Sequence, residues 1–336
     1  MAVHRSLPVR ILGTGEQLPS NKVESSALDA RWNKPAGWTF RHSGVETRYY
    51  AGENETTSSM AAGAARDALA VAGLRADQLD CIVSACSVME QAIPCSAVLI
   101  QRELGLGGSG IPAFDINATC LSFLAALDTL SAAMAVGRYR RVLIVSSEIA
   151  SAGLNESDPV TAMLFGDGAA AVVLEYSDTE DGGQILGTHF ETYADGADLC
   201  QVRSGGTRIR PRETLDAFLQ GAFFEMNGPA TYRMAAKLLP RFLDRLFERA
   251  QVRLGQLACI VPHQASVKGL AHLEAALKLP DGMLVRVLAS RGNQMAASIP
   301  VALHQAISSQ RIRRGDMIAL VGSGAGLSFG GTVLRY

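Results

Sequence analysis

The stretch AGLRADQLDCIVSAC, residues 72–86, returns in similar form as AQVRLGQLACIVPHQ at residues 250–264. A second pair follows in the same order, with GRYRRVLIVSSE at 137–148 and QRIRRGDMIALVGS at 310–323. Both pairs have a spacing of about 175 residues, which indicates one structural unit present twice. The repeat therefore predicts a chain of two similar halves.

Each half alternates apolar strand patterns with helical patterns rich in Ala and Leu. CIVSACSV and RVLIVSSE are typical of strands buried on both faces, whereas CLSFLAALDTLSAAMAVG is typical of a helix. Such alternation predicts an α/β fold with a sheet covered on both sides. The polar, glycine-ended segment EYSDTEDGG at 175–183 suits a junction, so we place the halves at residues 1–178 and 179–336.

The composition excludes several classes of protein. The chain has 336 residues, 48% hydrophobic and 19% charged, which is enough to bury a large core. Its net charge of −1 does not favour nucleic acid or an anionic membrane as a partner. The N-terminus lacks the apolar segment of a signal peptide, and no apolar run is long enough to span a bilayer. We therefore expect a cytoplasmic protein with no membrane segment.

One of the six cysteines, Cys120, stands out by its position. The strand-like FDIN, the turn ATC and the helical LSFLAALDTLSAAMAV place it where a strand passes into a helix. A thiol in the first turn of a helix has a lowered pKa, and a strained turn exposes the side chain as a nucleophile. The alternative is a tight turn that needs a small residue. No CxxC pair occurs, so we expect neither a metal site nor disulfides.

The repeat brings other residues to Cys120. Cys120 lies 18 residues before Arg138, and Asn293 lies 18 residues before Arg311, so the two occupy equivalent positions. His263 stands at the carboxyl end of a predicted strand. Ligands in open α/β sheets bind beyond the carboxyl ends of strands. The turns of Cys120, His263 and Asn293 are therefore predicted to converge.

Each of these pieces has a chemical role and a plainer alternative. His263 suits a general base, or it caps the next helix. The Asn293 amide suits a carbonyl oxygen that gains charge, or it is a turn residue. GSGAGLSFGG at 322–331 lacks the spacing of a nucleotide-binding motif. Its glycines allow backbone N–H groups close to a ligand, as in an oxyanion hole.

Together these motifs resemble the β-ketoacyl-acyl-carrier-protein synthase III family of thiolase-fold condensing enzymes. The matching segments are RHSGVETRYY (41–50), the Cys120 turn, FGDGAAAVVLE (165–175), PHQAS (262–266), GNQMAAS (292–298) and the glycine-rich turn. The resemblance implies a thiolase-like fold, with duplicated βαβαβαββ halves in a five-layered α-β-α-β-α core. It also implies a homodimer.

The resemblance implies an acyltransferase of fatty-acid or secondary-metabolite biosynthesis. Cys120 takes an acyl group from a thioester, and a malonyl thioester then loses CO2 beside His263 and Asn293 in a decarboxylative Claisen condensation. The backbone N–H groups of Cys120 and of Ala325 or Gly326 hold the oxyanion. Coenzyme A or phosphopantetheine thioesters are the substrates, acyl carrier protein is a partner, and no cofactor is required.

The resemblance also places the substrate-binding residues, which are Trp38, Arg41, His42, Lys268, Ile93, Phe165 and Met295. His42 stands where the family has an Arg for coenzyme A. Ile93 stands where many members have a Phe that closes the partner's acyl pocket. Head-to-head condensing relatives have a Glu base at that position, so Ile93 counts against olefin-type condensation.

Three other functions compete with condensation. The acyl-enzyme could deliver its acyl group to an alcohol or an amine, the chain could be a non-catalytic subunit of a condensing heterodimer, or it could be a Cys-hydrolase. The presence of Cys120, His263 and Asn293 together favours the condensing enzyme, because the Asn serves decarboxylation and enolate stabilisation.

Overall fold

The computed structural model describes residues 6–177, 182–210, 212 and 214–336. The strands are β1 (Val9–Gln17), β2 (Asn21–Glu24), β3 (Thr47–Tyr50), β4 (Cys81–Ser84), β5 (Ala113–Asp115), β6 (Arg141–Glu148), β7 (Gly168–Tyr176), β8 (Gln184–Thr192), β9 (Cys200–Gln201), β10 (Glu225–Met226), β11 (Cys259–Pro262), β12 (Met317–Gly324) and β13 (Ser328–Arg335). The α-helices are α1 (Ser25–Arg31), α2 (Trp38–Ser43), α3 (Thr57–Ala72), α4 (Ser96–Glu103), α5 (Ser122–Ala135), α6 (Pro159–Ala162), α7 (Leu215–Gly221), α8 (Gly228–Ala250), α9 (Val267–Leu277), α10 (Leu288–Arg291) and α11 (Ser298–Ser308).

The two main sheets have the same strand order. The first sheet runs β1-β7-β6-β4-β5 and the second runs β8-β13-β12-β11. In the first sheet β4 and β6 are parallel and β6 and β7 antiparallel, and in the second sheet β11 and β12 are parallel and β12 and β13 antiparallel. In the second sheet, the counterpart of β5 is reduced to a single bridge between Leu284 and Ile260. The predicted boundary at residues 178 and 179 lies outside the described residues and stays a prediction.

The repeat seen in the sequence is also a repeat of local structure. RADQL and RLGQL each form a short 3-10 helix in front of a buried parallel strand. In both, the Gln side chain accepts a hydrogen bond from the backbone N–H of the Arg, at 2.9 Å from Arg75 to Gln78 and at 2.8 Å from Arg253 to Gln256. The same residue types therefore start the equivalent strands in the same way.

The order of the layers is set by the two helices that lie between the sheets. α5 and α11 lie between the sheets, where α5 contacts β1, β6 and β13 and α11 contacts β1, β7, β11 and β12. The outer face of the first sheet is covered by α3 and α4, and that of the second by α8, against which α9 packs. A helix enclosed between two sheets needs a broad apolar surface, and the buried residues of α5 include Phe123, Leu124, Leu127 and Leu130. This is the predicted α-β-α-β-α arrangement.

Glycines in β1 set how closely α3 approaches the first sheet. A Cβ on Gly13 or Gly15 would lie 2.2 Å from a backbone oxygen of α3, at Ala68 or Ala64 respectively. The close approach suits the Ala-rich face of α3. Among the described residues, no helix combines the length and apolar composition that a bilayer span requires.

Candidate active site

Cys120 lies in a tight turn between β5 and α5. The backbone N–H of Leu121 donates to Ala118 O at 3.1 Å, and that of Ser122 donates to Thr119 O at 3.0 Å. Ser122 Oγ also donates to Thr119 O at 2.6 Å and accepts from the Ala118 N–H at 2.9 Å. These bonds hold Thr119 at a φ of 54°, a left-handed conformation that non-glycine residues rarely adopt. The predicted strained turn is therefore present.

The pKa of the Cys120 thiol differs from the sequence prediction. α5 begins at Ser122 with Leu121 as its N-cap, so Cys120 precedes the helix instead of lying in its first turn. Burial raises the pKa of Cys120 to about 12, and the carboxylate of Glu148 adds to the rise. The prediction of a lowered pKa is wrong for this structure, because burial of the thiol outweighs the helix dipole. Cys120 is a neutral thiol at neutral pH and needs a base in order to react.

The glycine-rich turn between β12 and β13 packs directly on the Cys120 turn. A Cβ on Gly324 would lie 2.7 Å from Thr119 Oγ1 and 3.5 Å from Cys120 N, so only glycine permits this approach. The backbone N–H groups of Cys120 and Ala325 oppose part of the rise in the pKa of Cys120. Ala325 therefore fits the second oxyanion donor, and Gly326 follows it with a φ of 143°.

His263 directly follows β11 and is 6% exposed. Its backbone N–H donates to Val321 O at 2.8 Å, and its Nδ1 is buried without a hydrogen-bond partner among the described residues. Burial lowers the pKa of His263 to about 4, so the imidazole is neutral and can accept a proton at neutral pH. Ser266 caps α9, since its Oγ accepts from the Gly269 N–H at 3.1 Å. The alternative that His263 caps this helix is wrong.

Asn293 is held at both its backbone and its side chain. Its backbone N–H donates to Leu164 O at 2.8 Å, and its carbonyl oxygen accepts from the Gly166 N–H at 3.1 Å. Its Oδ1 accepts from the Met295 N–H at 2.9 Å, and its Nδ2 donates to Ala265 O at 3.4 Å. Asn293 is thus a turn residue as well. Its amide group still has a second N–H that these contacts do not use.

Two contacts bring the three predicted catalytic residues to one place. A Cβ on Gly322 would lie 3.0 Å from Leu121 Cδ2 and 3.1 Å from His263 Cβ, so the residue after Cys120 and His263 flank one glycine. The amide of Asn293 reaches the backbone oxygen two residues beyond His263. The convergence predicted from the repeat is therefore present, and the catalytic roles stay predictions.

Three of the predicted coenzyme A contacts lie on α2. The rings of Trp38 and His42 are 4.6 Å apart, and His42 Nδ1 lies 2.7 Å from Trp38 O. Arg41 turns back, and its Nη1 donates to Ala36 O at 3.0 Å. Lys34, which belongs to none of the sequence motifs, places its Nζ 5.2 Å from the centre of the Trp38 ring. The cluster therefore presents an aromatic face with nearby positive charge.

The fourth contact, Lys268, lies beside this cluster. A Cβ on Gly44, the residue that ends α2, would be 2.1 Å from Val267 Cγ2, so α2 touches the start of α9. Lys268 is the next residue of α9, is exposed and is only five positions after His263. The structure thus places this surface next to the His263 loop.

Phe165 and Met295 both lie beside Asn293. Phe165 forms a backbone bridge with Asn293, is 4% exposed and packs edge-on against Phe224, with ring centres 5.1 Å apart. Met295 has a φ of 50° and donates its backbone N–H to Asn293 Oδ1. Ile93 is different, because its side chain is 86% exposed on the surface. The structure does not bring Ile93 into the site of its own chain.

Several residues that shape the site were not among the predicted site residues. Gln264 Oε1 accepts from the N–H groups of Val287 and Leu288, and this holds the His263 loop. Gln294 Nε2 donates to Asp167 O at 2.9 Å beside Asn293. Glu148 is 1% exposed, and burial raises its pKa to about 8. Gln264 and Gln294 each directly follow a predicted catalytic residue, and this position was the only sign of their role in the sequence.

The described residues contain no group of His, Cys, Asp or Glu side chains arranged to hold a metal ion. All six cysteines are free thiols in the structure. The charge of Cys200 contributes to the raised pKa of Cys120. The groups available for chemistry are therefore a thiol, a neutral imidazole, a carboxamide and backbone N–H groups.

Comparison with sequence families gives two matches. The profile of 3-oxoacyl-[acyl-carrier-protein (ACP)] synthase III matches residues 114–194, and that of its C-terminal region matches residues 247–336. β-Ketoacyl-[acyl-carrier-protein] synthase III of Neisseria meningitidis (serogroup A, strain Z2491) is 35% identical over 328 residues, which are 97% of this chain and 99% of the relative. The synthase III of Methylococcus capsulatus is 33% identical over 97% of this chain and 98% of its own length.

Solved structures agree with this result. The 3-oxoacyl-[acyl-carrier-protein] synthase III of Aquifex aeolicus VF5 superposes with a TM-score of 0.88 at 31% identity, over 98% of this chain and 100% of that one. OleA of Xanthomonas campestris, in its cerulenin-bound form, shares the fold with a TM-score of 0.87 at 19% identity, over 100% of this chain and 99% of that one. The profiles, the full-length relatives and the paired sheets lead to one conclusion: this chain belongs to the β-ketoacyl-[acyl-carrier-protein] synthase III family.

Proposed function

We propose that this protein transfers an acyl group from a thioester to Cys120 and condenses it with a malonyl thioester. The observation that carries the proposal is that the Cys120 turn packs against the glycine-rich turn that carries Ala325 and, across Gly322, against His263, whose imidazole is neutral. This geometry suits acyl transfer through a tetrahedral oxyanion. It requires thioester substrates and no separate cofactor.

In the first half-reaction, the Cys120 thiol attacks the carbonyl carbon of the acyl thioester. The thiol proton moves to His263, and the carbonyl electrons form an oxyanion at the N–H groups of Cys120 and Ala325. The carbon–sulfur bond of the donor then breaks, and its thiolate leaves with the proton. A buried neutral base is suited to this step, because neither charge exists before the attack.

In the second half-reaction, the malonyl thioester loses its carboxylate as CO2. The electron pair of the broken bond forms an enolate, whose oxygen accepts hydrogen bonds from Asn293 Nδ2 and His263. The enolate carbon attacks the acyl carbonyl, the bond between this carbon and the Cys120 sulfur breaks, and the thiolate takes up one proton from solvent. Donors aimed at the developing negative charge lower the barrier of such a step.

The relatives are named for acyl carrier protein, so we propose a carrier-bound malonyl group as acceptor and either coenzyme A or a carrier as donor. The exposed face formed by Trp38, His42 and Lys268 suits an adenine ring or a phosphate. The cytoplasmic location stays a prediction of the sequence. The substrates that the enzyme accepts distinguish fatty-acid initiation from a specialised pathway.

Lys268→Glu is expected to raise KM for acyl-coenzyme A by about tenfold while kcat stays within about twofold, because the lost contact is to a charged group remote from the reacting atoms. Initial rates at varied donor concentration measure this effect. The control is Lys278→Glu, an exposed position just past the other end of α9. Equal KM values for the two variants would contradict the assignment of Lys268.

A homodimer is proposed from one exposed apolar surface. Val88, Met89, Ile93, Val98 and Phe114 are 52%, 47%, 86%, 39% and 36% exposed, and Phe114 lies on the edge strand β5. An apolar patch beside an open sheet edge favours pairing with a second copy. In the dimer, Ile93 would reach towards the acyl pocket of the other subunit.

Ile93→Asp is expected to weaken the dimer by about tenfold or more, because it places a charge in an apolar interface. Light scattering across a dilution series measures the dissociation constant. Val136→Asp is the matched control, since Val136 is an apolar residue with 83% exposure at the end of α5. A wild-type protein that stays monomeric at all concentrations would contradict the homodimer.

The function itself is tested by adding malonyl-carrier protein to enzyme loaded with acyl-coenzyme A. We expect CO2 and a β-ketoacyl product in equal amounts. Acyl transfer to an added alcohol or amine, without CO2, would favour the acyltransferase alternative, and free acid would favour the hydrolase. A wild-type protein that is never acylated on Cys120 would instead support the non-catalytic subunit.

A further inference from the structure

Glu148 is a buried acidic residue for which the proposed reaction has no use. It is the last residue of β6 and is 1% exposed. The backbone N–H of Ser87 donates to its Oε1, and the Ser87 side chain and the backbone N–H groups of Val88 and Ala296 hold the pKa of Glu148 below the value that burial alone would give. A buried carboxyl group is tolerated when donors satisfy its oxygens. Glu148 thereby binds two separate loops at once.

The first of these loops leads to the nucleophile. Ser87 O accepts from Asn117 Nδ2 at 2.9 Å, and Asn117 Oδ1 accepts from the Thr119 N–H at 2.8 Å. Thr119 immediately precedes Cys120 and has the left-handed conformation of the turn. A shift of the Ser87 loop would therefore be passed to Cys120 through two hydrogen bonds.

The second loop leads to the side-chain amide of Asn293. Ala296 lies in the short 3-10 helix Met295–Ala297, which packs on β6. The first residue of this helix, Met295, donates its N–H to Asn293 Oδ1. The position of Asn293 is thus tied to Glu148 through one short, rigid segment.

We propose that Glu148 is a positioning residue that holds the Cys120 turn and the Asn293 turn at their working separation. The inference rests on the proposed function, in which these two residues act on the same acyl group. An ionised carboxyl group suits the task, because both of its oxygens accept hydrogen bonds and can serve donors on both loops. The amide of Gln offers one accepting oxygen and can hold only one loop well.

Glu148→Ala is expected to lower kcat for condensation by about 100-fold, because a displacement of about 1 Å between reacting groups costs that much. KM for the acyl donor should stay within about twofold, since the donor-binding face lies elsewhere. Glu148→Gln should recover part of the lost kcat. Hydrogen exchange, followed by mass spectrometry, should become faster at residues 85–90 and 293–298 and stay unchanged in β12.

Two further variants separate positioning from stability. Leu143→Ala removes a buried side chain of the same strand and leaves a cavity. It should lower the melting temperature while kcat per folded enzyme stays within about twofold. Asn117→Ala, at an exposed position of the first path, should lower kcat about tenfold even if Glu148→Ala does not fold. Unchanged kcat in both the Glu148 and the Asn117 variants, or unchanged exchange in both loops, would overturn the proposal. If wild-type protein shows no condensation, the proposed function fails and the exchange data alone decide the role of Glu148.

Discussion

Cys120→Ser is expected to lower the rate of condensation by about 10⁴-fold or more and to leave no detectable acyl-enzyme. A hydroxyl is a much weaker acid than a thiol, so its proton passes to the imidazole of His263 far less readily. Product formation from acyl-coenzyme A and malonyl-carrier protein measures the loss. Intact-protein mass spectrometry after exposure to the acyl donor measures the missing intermediate.

The control for this variant is Cys95→Ser. Cys95 is another free cysteine, at the N-cap of α4, and it lies outside the site. Serine is a good N-cap residue, so this variant should fold and retain activity within about twofold. A Cys120→Ser protein that still forms product at a tenth of the wild-type rate would show that the nucleophile has been assigned wrongly.

Asn293→Ala is expected to separate the two half-reactions. Removing one donor to a developing oxyanion typically lowers a rate by about 10²–10³-fold, and we expect this loss in CO2 release and product formation. Acylation of Cys120 should stay within about threefold, because the first half-reaction uses the N–H groups of Cys120 and Ala325 instead. Rapid mixing with acyl-coenzyme A, followed by addition of malonyl-carrier protein, measures each step separately.

Asn155→Ala serves as the comparison for Asn293→Ala. Asn155 also forms a turn of the same kind, since its Oδ1 accepts from the Ser157 N–H at 3.0 Å, but it lies outside the site. Its removal should leave both half-reactions unchanged. Equal losses of acylation and decarboxylation in Asn293→Ala would mean that the residue supports the turn and takes no part in enolate stabilisation.

The repeat is the reason that so much of the fold and the site could be predicted. Matching segments at 72–86 and 250–264 implied equivalent strands, and the structure has them as β4 and β11 in sheets of the same order. The convergence of Cys120 with His263 and Asn293 follows from that symmetry, because equivalent strand ends face one cleft. Local pattern alone did not distinguish these residues from turn and cap residues.

What the sequence did not predict depends on contacts between distant segments. The pKa of Cys120 is raised because the site is enclosed by residues from both halves, and a local argument from the helix dipole misses that enclosure. Glu148 ends an ordinary strand pattern, and only the folded chain shows two loops donating to it. The counterpart of β5 is reduced to the bridge between Ile260 and Leu284, and no sequence pattern indicated this difference between the halves.

The most direct test of the account is a crystal structure of the acyl-enzyme trapped in Asn293→Ala. The acyl carbon should be bonded to Cys120 Sγ, with its carbonyl oxygen about 3 Å from the backbone nitrogens of Cys120 and Ala325 and with His263 alongside. An acyl group on another residue, or a carbonyl oxygen turned away from both nitrogens, would contradict the claim that these groups form one site.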